Sequence, residues 1–466
     1  MARPPLEQTT LLPPGRLEQR TREIMRVKLA LVLFTTACGA GVRGEDAAAG
    51  PEDPAAGGIG DDDDADGSEE SECPEGGCLD IGSSSWVDCG DDDNYAFNVA
   101  WIANSQQGTV SKIDTKNAVE LARYRTGPGF ESHSPSRTSV NLRGDVAVAN
   151  RSGSVTKISE KLTRCVDNNG DGMIQTSSGP LDVLPWGEDE CVLWHHDIDF
   201  SPSPPEHPGG PRAVAWDFSG LNSSDPDASD PCAADLWVGW RDQPSTTTIL
   251  RRIKGHSGET DVDLRIEDLV GNWTHGAYGG AVDPDGSFWA LGTLGTLVRV
   301  DGDSLDIDRW NAPTNIQVYG LAIDADGTPW MASWLGHVWK FDLDEEVFVD
   351  MGAVLAGVSP ERLRGVAIDE RGRLWIAGDD PCYLVLFDIP SESFVKQNIT
   401  LPGCVEPVGV SLDSDGDVWV VDRWANTAYE VHPETYAVRA VAGLVDPYTY
   451  SDMTGAGLSL VVPPIE

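Results

Sequence analysis

Hydrophobic and polar residues alternate over short stretches through most of the chain, and from about residue 94 onward this alternation repeats with a long period. Four segments align directly: each has an apolar stretch, an Asp-x-x-Gly turn and a second apolar stretch opening on tryptophan, at 278–289, 319–330, 364–375 and 408–419. Their tryptophans are 41, 45 and 44 residues apart. Alternation with period 2 predicts β-strands, and the turn residues predict hairpins between them.

The period in the forties predicts a β-propeller. Each repeat runs on through a glycine-containing turn into a third alternating stretch, such as 296–301 or 337–342. A repeated unit of short antiparallel strands with this length is typical of a propeller blade. Weaker copies near Trp101, Val148 and Trp216 bring the number of blades to seven. We therefore predict an all-β fold in which residues 94–466 form one seven-bladed β-propeller.

The two ends of the repeat array predict how the ring closes. The first copy has no clear inner strand ahead of it, whereas residues 455–462, after the seventh copy, read as a spare strand. We expect this C-terminal strand to complete the N-terminal blade, because closure removes a sheet edge that would otherwise invite aggregation.

The N-terminal part of the chain has a different pattern, that of an export signal. Met25-Arg26-Val27-Lys28 precedes an apolar run over 29–37 that is too short to span a bilayer. Met25 is a better signal start than Met1, which favours translation from Met25. Residues 34–38 resemble a bacterial lipobox with Thr35 in place of the usual leucine, and this resemblance implies cleavage before Cys38 and its lipidation. Export without a lipid is the alternative.

An acidic segment separates this signal from the propeller. Residues 45–93 contain eighteen acidic and no basic side chains, in a stretch rich in alanine, glycine and proline. Such a segment cannot bury enough apolar surface to order itself, and its like charges extend it. We predict a signal region at 1–37, a mostly disordered tether at 38–93 and a location in the periplasm or at the cell surface. Gly39, directly after Cys38, favours the outer membrane of a diderm bacterium. The sequence does not indicate which leaflet carries the lipid anchor.

Charge and cysteine content narrow the partners and the compartment. The formal net charge of −43 argues against nucleic acid, and against any membrane contact beyond a lipid anchor. Exported cysteines tend to pair, and eight remain if Cys38 carries lipid. Two bridges are predicted, one bracketing an insertion at 162–192 and one between neighbouring strands of a single repeat: Cys165–Cys191 and Cys382–Cys404. The pairing of four cysteines stays open: Cys73, Cys78, Cys89 and Cys232.

The insertion at 162–192 contains a sequence that matches the first nine positions of a calcium loop. Its oxygen ligands would come from the side chains of Asp167, Asn169 and Asp171 and the main-chain carbonyl of Met173, with Gly172 at the sharp turn. Ser178 occupies the twelfth position, where a bidentate glutamate is usual. The remaining ligand would therefore come from one of four nearby acids: Asp182, Glu188, Asp189 or Glu190. We predict a structural calcium ion, with a metal-free turn as the alternative.

The first residues of the inner strands align at one end of the predicted pore. They are Arg137, Arg212, Tyr278, Tyr319, Arg364 and Val408, with Met453 or Thr454 in the closing blade. Arginine binds carboxylate or phosphate and tyrosine stacks on rings, so the set predicts a site for a small anionic or glycan-like ligand. In the structural alternative these side chains fill the tunnel and pair with one another or with acids such as Asp452. The repeated aspartates, such as Asp283 and Asp285, are interpreted as turn residues.

The repeat at Tyr319–Trp330, Tyr-Gly-x-Ala-Ile-Asp-x-Asp-Gly-x-x-Trp, resembles that of virginiamycin B lyases (streptogramin lyases) and NHL-type propellers, over roughly residues 94–466. The lyase resemblance implies a carbon–oxygen lyase in which histidines, a glutamate and Mg²⁺ surround the central cavity. The matching inner-strand positions hold no histidine here, and His275 and His337 lie outside any repeated catalytic motif.

These observations favour a non-catalytic protein over an enzyme. We predict a monomeric binding module of the cell envelope for a small ligand or an envelope protein. The alternative is a lyase or hydrolase acting on a lactone, a depsipeptide or an anionic glycan-like substrate. Two histidines and a glutamate around a pore metal would favour the enzyme, whereas a pore lined by arginine and tyrosine would favour binding.

Overall fold

A computed structural model describes residues 98–129, 133–199, 210–218, 234–242, 247–267 and 275–462, and the backbone of two short strands further upstream. These two, β1 (Leu79–Asp80) and β2 (Trp86–Val87), pair antiparallel within the predicted tether. The predicted export signal and lipidation site lie outside the described residues, as do four cysteines: Cys73, Cys78, Cys89 and Cys232.

The predicted seven-bladed β-propeller is confirmed. Blade 1 contains β3 (Val99–Asn104), β4 (Thr109–Asp114) and β5 (Val119–Arg125), and blade 2 contains β6 (Pro135–Val140), β7 (Val146–Asn150), β8 (Ser154–Ile158) and β9 (Val192–Asp197). Blade 3 contains β10 (Ala213–Trp216), β11 (Leu236–Arg241), β12 (Thr248–Ile253) and β13 (Thr260–Ile266). Blade 4 contains β14 (Gly279–Val282), β15 (Phe288–Gly292), β16 (Thr296–Val300) and β17 (Ile307–Asn311).

Blade 5 contains β18 (Val318–Ile323), β19 (Pro329–Ser333), β20 (His337–Asp342) and β21 (Val347–Ala353). Blade 6 contains β22 (Arg362–Ile368), β23 (Arg373–Asp379), β24 (Tyr383–Asp388) and β25 (Ser393–Ile399). Blade 7 contains β26 (Pro407–Leu412), β27 (Val418–Asp422), β28 (Thr427–Val431) and β29 (Val438–Ala442). All pairings within a blade are antiparallel between consecutive strands. The first strands of blades 2 to 7 contact one another in sequence, so they surround the central pore.

The C-terminal segment closes the ring onto blade 1, as predicted, but through different residues. Tyr448 N–H donates to Ala103 O (3.0 Å) and Trp101 N–H donates to Met453 O (2.8 Å), so residues 446–453 run beside β3 in place of a regular inner strand. Residues 455–462 are not a strand, and that prediction is wrong. They contain the helix α1 (Ala456–Val461) instead.

Helix α1 begins where the sequence carries start signals that the strand prediction overlooked. Asp452 accepts hydrogen bonds from the N–H groups of Gly455 (2.8 Å) and Leu458 (3.1 Å), and Gly455 adopts a left-handed conformation with φ of 95°. Leu458 and Val461 are buried, and the helix packs against β14, β18 and β26 at the pore. A short apolar run cannot by itself distinguish a buried helix from a buried strand.

A hydrogen bond between aspartate and tryptophan repeats in blades 4 to 7. The aspartate of each Asp-x-x-Gly turn accepts two main-chain N–H groups with one oxygen and the indole N–H of the next strand with the other. The indole bonds are 2.8 to 3.0 Å long: Trp289 to Asp283, Trp330 to Asp324, Trp375 to Asp369 and Trp419 to Asp413. The repeated aspartates are therefore turn residues that also satisfy a buried donor, which confirms that interpretation.

The tryptophans also join each blade to the next. Trp289 packs against Phe341 of blade 5 with ring centroids 6.1 Å apart, and Trp330 packs against Phe387 of blade 6 at 5.9 Å. At these two junctions, buried aromatic side chains therefore tie a blade to the one that follows it. None of the described helices is long and apolar enough to cross a membrane.

Both predicted disulfides are confirmed. Cys165 and Cys191 bracket the insertion between β8 and β9, with Cα atoms 4.4 Å apart. Cys382 and Cys404 have Cα atoms 6.0 Å apart. Their predicted place in neighbouring strands is wrong, because Cys382 lies in the turn before β24 and Cys404 lies in the loop before β26. The second bridge therefore joins blade 6 to the loop that enters blade 7.

We expect Asp324→Ala to lower the free energy of unfolding by about 2–4 kcal/mol, because it leaves the Trp330 indole and two main-chain N–H groups without an acceptor. Denaturant unfolding followed by tryptophan fluorescence measures the change. Asp326→Ala is the matched control, since Asp326 is exposed in the same turn, and it should cost less than about 0.5 kcal/mol. Equal losses in the two variants would contradict this role of Asp324.

Candidate ligand site at the pore mouth

The five predicted pore residues are buried together at one end of the pore. Arg137, Arg212, Tyr278, Tyr319 and Arg364 each expose 7% or less of their surface. The Arg137 guanidinium carbon lies 4.8 Å from the Tyr278 ring centre and that of Arg212 lies 5.4 Å from it. Tyr278 and Tyr319 have ring centroids 5.4 Å apart, and Arg364 lies 5.4 Å from Tyr319. Strand starts from five blades thus converge on one cluster.

The ring-closing segment adds two tyrosines that the sequence did not predict. The Tyr448 hydroxyl lies 2.7 Å from that of Tyr319 and 3.4 Å from that of Tyr278. The Tyr450 ring lies 4.6 Å from the Tyr319 ring, and the Arg137 guanidinium sits over it. We had expected Met453 or Thr454 in this place. The misplaced strand caused that error, because the segment that pairs with β3 begins several residues earlier.

Two further arginines come from the turns that follow the second strands. Arg151 follows β7 and lies 5.0 Å from the Tyr448 ring, and Arg423 follows β27 and lies 5.1 Å from the same ring. Both occupy the first position after the second strand of their blade. An alignment of that position across the repeats would have identified them from the sequence. We call the whole set the pore-mouth cluster: Arg137, Arg151, Arg212, Tyr278, Tyr319, Arg364, Arg423, Tyr448 and Tyr450.

Two arginines of the cluster are neutralised by carboxylates. Arg364 pairs with Asp379 (2.8 Å) and Glu406 (3.0 Å), and Arg423 pairs with Asp446 (2.7 Å). Burial alone would lower the pKa of Arg364, but Tyr319 and the two carboxylates outweigh it and raise the pKa above its ordinary value. The Cys382–Cys404 bridge joins the two loops next to Asp379 and Glu406. The acid named in the structural alternative, Asp452, caps α1 and pairs with none of these arginines among the described contacts.

Arg137, by contrast, has no carboxylate partner among the residues that the structure describes. Its guanidinium donates to the carbonyls of Ser136 (3.0 Å) and Tyr278 (3.2 Å), and its Nε–H has no acceptor there. Burial, reinforced by Arg212 and opposed by the tyrosines, lowers the pKa of Arg137 to about 9. The protein therefore holds a buried positive charge that its own described side chains do not balance.

Arg151 has a similar environment. It donates to Ser105 Oγ (2.9 Å) and to Ser134 O (3.3 Å), both of which are neutral. Burial lowers its pKa, and the nearby cations Arg212 and Arg423 contribute to the same shift. In a chain with a net charge of −43, the pore mouth is thus a local concentration of positive charge. Guanidinium groups held on a rigid frame can bind a carboxylate or a phosphate.

The tyrosines supply hydrogen-bond donors beside these cations. Burial and the neighbouring phenols raise the pKa of Tyr278 to about 12 and also raise that of Tyr319, so both keep their protons at neutral pH. Burial also acts to raise the pKa of Tyr448, but Arg137, the hydrogen bonds with Tyr278 and Tyr319, and Arg151 outweigh it and lower the pKa. The cluster therefore combines cations with neutral donors.

Histidines do not gather around a metal position in the described part of the chain. One group there brings three carboxylates together without a histidine: Asp413, Asp417 and Glu430. A second group, Cys382, Cys404 and Asp422, also lacks histidine, and its two cysteines are bonded to each other as a disulfide. His275 lies beside the cluster, 5.8 Å from the Tyr278 ring. His337 pairs with Asp350 on β21, away from the inner strands. The histidine and glutamate set that would favour a lyase is therefore not formed by these residues.

The calcium-loop sequence folds into a turn held by its own side chains. Asp167 accepts the N–H groups of Gly170 (2.6 Å) and Gly172 (2.9 Å), and Asn169 Oδ1 accepts that of Asp171 (2.8 Å). These main-chain hydrogen bonds, that of Gly172 first, lower the pKa of Asp167 despite some loss of hydration. Glu190 reaches under the turn and accepts main-chain N–H groups at both of its ends. The three predicted side-chain ligands thus belong to one short loop.

Comparisons with known proteins show the fold and nothing finer. No family model matches the chain, and no curated protein matches it. Among solved structures, the chain is similar to virginiamycin B lyase from Staphylococcus aureus, with 12% identity, a TM-score of 0.46 and a match over 68% of this chain and 88% of that one. It is also similar to a protein of unknown function from Desulfotomaculum acetoxidans, with 9% identity, a TM-score of 0.51 and coverage of 76% and 97%.

We expect an alkaline titration at 295 nm to show at least four of the nine tyrosines still protonated in the folded protein at about pH 11. Their pKa values are raised, first of all by burial: Tyr124, Tyr278, Tyr319 and Tyr429. In denaturant all should titrate near pH 10. Since the folded state keeps protons that the unfolded state releases, stability should fall as the pH rises above about 10. Tyr278→Phe should remove one late-titrating group, and a single transition for all nine in the folded protein would contradict these environments.

Proposed function

We propose that this protein is a binding module of the cell envelope whose propeller binds a small anionic ligand at the pore mouth. One observation carries the proposal: Arg137 is almost completely buried, with no described carboxylate to balance it, and the described hydrogen-bond partners of Arg151, a second arginine of the cluster, are neutral. Arg364 and Arg423, which pair with carboxylates, show that the fold can supply acids at this end of the pore.

The buried charge of Arg137 costs folding free energy that a bound anion can offset. At neutral pH, which is below its folded pKa of about 9, Arg137 carries its charge in both the folded and the unfolded chain. The folded protein therefore bears a desolvation cost that the two carbonyl acceptors and the tyrosine rings offset only in part. A bound carboxylate or phosphate would offset this cost, so binding and stability are linked.

The hydrogen-bonding groups of the cluster suit such a ligand. The Nε–H of Arg137 is a buried donor with no acceptor among the described residues, and Tyr278 and Tyr319 keep their hydroxyl protons. An anion with several acceptor oxygens can receive hydrogen bonds from more than one of these groups. A rigid frame of strand starts holds them in position before binding, which reduces the entropy lost on association.

The test is isothermal titration calorimetry of the full chain with sulfate, acetate and inorganic phosphate at low ionic strength. We expect binding of at least one anion, with the melting temperature raised in parallel. Arg137→Gln should weaken that binding by at least about tenfold, since it removes a charged hydrogen-bonding partner. Arg151→Gln should also weaken anion binding. Because Arg151 is less deeply buried than Arg137, this second variant keeps the test informative if Arg137→Gln does not fold.

The matched control is Arg371→Gln. Arg371 is 69% exposed in the turn between β22 and β23, at the opposite end of the inner strand from Arg364, and pairs with Glu434. The Arg371→Gln variant should bind the anions as tightly as the unaltered protein does. If Arg371→Gln and Arg137→Gln lose affinity equally, or if no anion binds, the proposed function is wrong.

We also propose that the loop at 167–175 binds a structural calcium ion through the side chains of Asp167, Asn169 and Asp171 and the carbonyl of Met173. Its support is the matching spacing and the Asx-type hydrogen bonds that hold these oxygens on one loop. The Cys165–Cys191 bridge fixes the base of the same insertion. The ion would stabilise the loop and take no part in ligand binding.

Calorimetry with CaCl₂ tests the calcium proposal. We expect one site that Asp171→Ala abolishes, because the loop loses an oxygen ligand that calcium needs. Asp303→Ala is the control for weak binding to a very acidic surface, since Asp303 is exposed in a turn of blade 4. Equal calcium affinity in the two variants would overturn the proposal.

The cellular location is a separate proposal that rests on sequence. The basic and apolar pattern at 25–37, the lipobox-like cysteine Cys38 and the acidic stretch at 45–93 support an exported, lipid-anchored monomer whose tether holds the propeller away from the membrane. Metabolic labelling with a radioactive fatty acid tests it: Cys38→Ser should abolish incorporation.

A further inference from the structure

An exposed tryptophan lies directly beside the pore-mouth cluster. Trp334, in the turn that follows β19, is 42% exposed. Its ring is stacked on Tyr319, with centroids 5.8 Å apart and planes 14° apart, and the Arg364 guanidinium lies 5.3 Å from it. Through Tyr319 and Arg364, the cluster is thus in contact with an aromatic ring that is partly exposed to solvent.

The turn holds this indole in a fixed place. Trp334 N–H donates to Gln317 O (2.9 Å), and Gly336 has a φ of 79°, which tightens the turn. Leu335 is also exposed, by 52%. Most of the other tryptophans that the structure describes are buried, so an aromatic ring left open on a rigid turn forms a preorganised stacking surface.

A second observation indicates that the ligand carries polar groups besides its charge. The Tyr450 hydroxyl is buried within the cluster and has no hydrogen-bond partner among the described residues. Buried hydroxyls are almost always hydrogen-bonded. A ligand with hydroxyl groups would supply the missing partner, whereas a simple inorganic anion or a bare aromatic acid offers fewer such groups.

We propose that the ligand is an acidic sugar, whose anionic group binds among Arg137 and Arg151 and whose ring stacks on Trp334. This inference rests on the proposed function and extends it from an anion to a class of molecule. The C–H face of a pyranose ring is apolar enough to stack on an indole, and its hydroxyls are donors and acceptors. The anionic group can be a carboxylate or a phosphate, because arginine binds both.

The test compares ligands that differ in one part at a time. Calorimetry of the full chain measures binding of glucuronate, glucose 6-phosphate, glucose, benzoate, acetate and phosphate. We expect glucuronate to bind about tenfold more tightly than acetate, or glucose 6-phosphate about tenfold more tightly than phosphate, since a stacked ring adds apolar contact. Glucose alone should bind at least about tenfold more weakly than the preferred acidic sugar, because it lacks the charge.

The Trp334→Ala variant separates this inference from the proposed function. It should reduce the preference for the acidic sugar over the simple anion to about twofold or less, while the affinity for the simple anion stays the same. Trp424→Ala is the matched control: Trp424 is 52% exposed in the corresponding turn of blade 7, and Arg423 lies 4.3 Å from its ring. This variant should keep the preference.

Three outcomes would overturn the inference while leaving anion binding in place. The first is equal affinity for the simple anion and the acidic sugar, the second is tighter binding of benzoate than of glucuronate, and the third is a preference that survives in Trp334→Ala. If none of the anions or acidic sugars binds, the proposed function fails as well, so the two failures are distinguishable.

Discussion

The structure depends on the closure of the ring by residues 446–453. Hydrogen bonds from Trp101 and Tyr448 hold this segment against β3, so the last part of the chain completes the first blade. An open ring would expose an unpaired strand edge and separate the inner strands that face one another across the pore. The same segment carries Tyr448 and Tyr450 into the pore mouth and then continues into α1. Closure, the aromatic centre of the candidate site and the helix at the pore are therefore consequences of one stretch of chain.

The arrangement of charge follows from that geometry. Inner-strand starts and the turns after the second strands face one end of the pore, so arginines from blades 2, 3, 6 and 7 meet there although they are far apart in sequence. Arg364 and Arg423 have carboxylate partners, whereas Arg137 does not among the described residues. Since a buried, unbalanced cation is costly, its presence at the centre of an acidic protein is the physical reason to regard the pore mouth as a site for an anion.

The repeat made much of this predictable from sequence. The 41–45-residue spacing of the tryptophans and the Asp-x-x-Gly turns predicted the blade number, the hairpins and the turn role of the aspartates, because each feature is local and recurs. The hydrogen bond from each tryptophan to its aspartate was not predicted. Alignment of the inner strands also placed Arg137, Arg212, Tyr278, Tyr319 and Arg364 at one end. Tyr448, Tyr450 and the helix were missed, because the closing segment belongs to no repeat and its apolar run fits a helix as well as a strand. The carboxylates that pair with Arg364 lie at the end of β23 (Asp379) and in the loop before β26 (Glu406), at positions that the repeat does not mark.

The central claim is that Arg137 and its neighbours bind an anion inside the pore mouth. The most direct test is a crystal structure of the full chain, or of the chain from residue 25, soaked in bromide or selenate and measured at the anomalous edge of the heavier atom. We expect an anomalous peak within hydrogen-bond distance of the Arg137 or Arg151 guanidinium. A pore mouth without such a peak, in crystals that bind the same anion elsewhere, would contradict it.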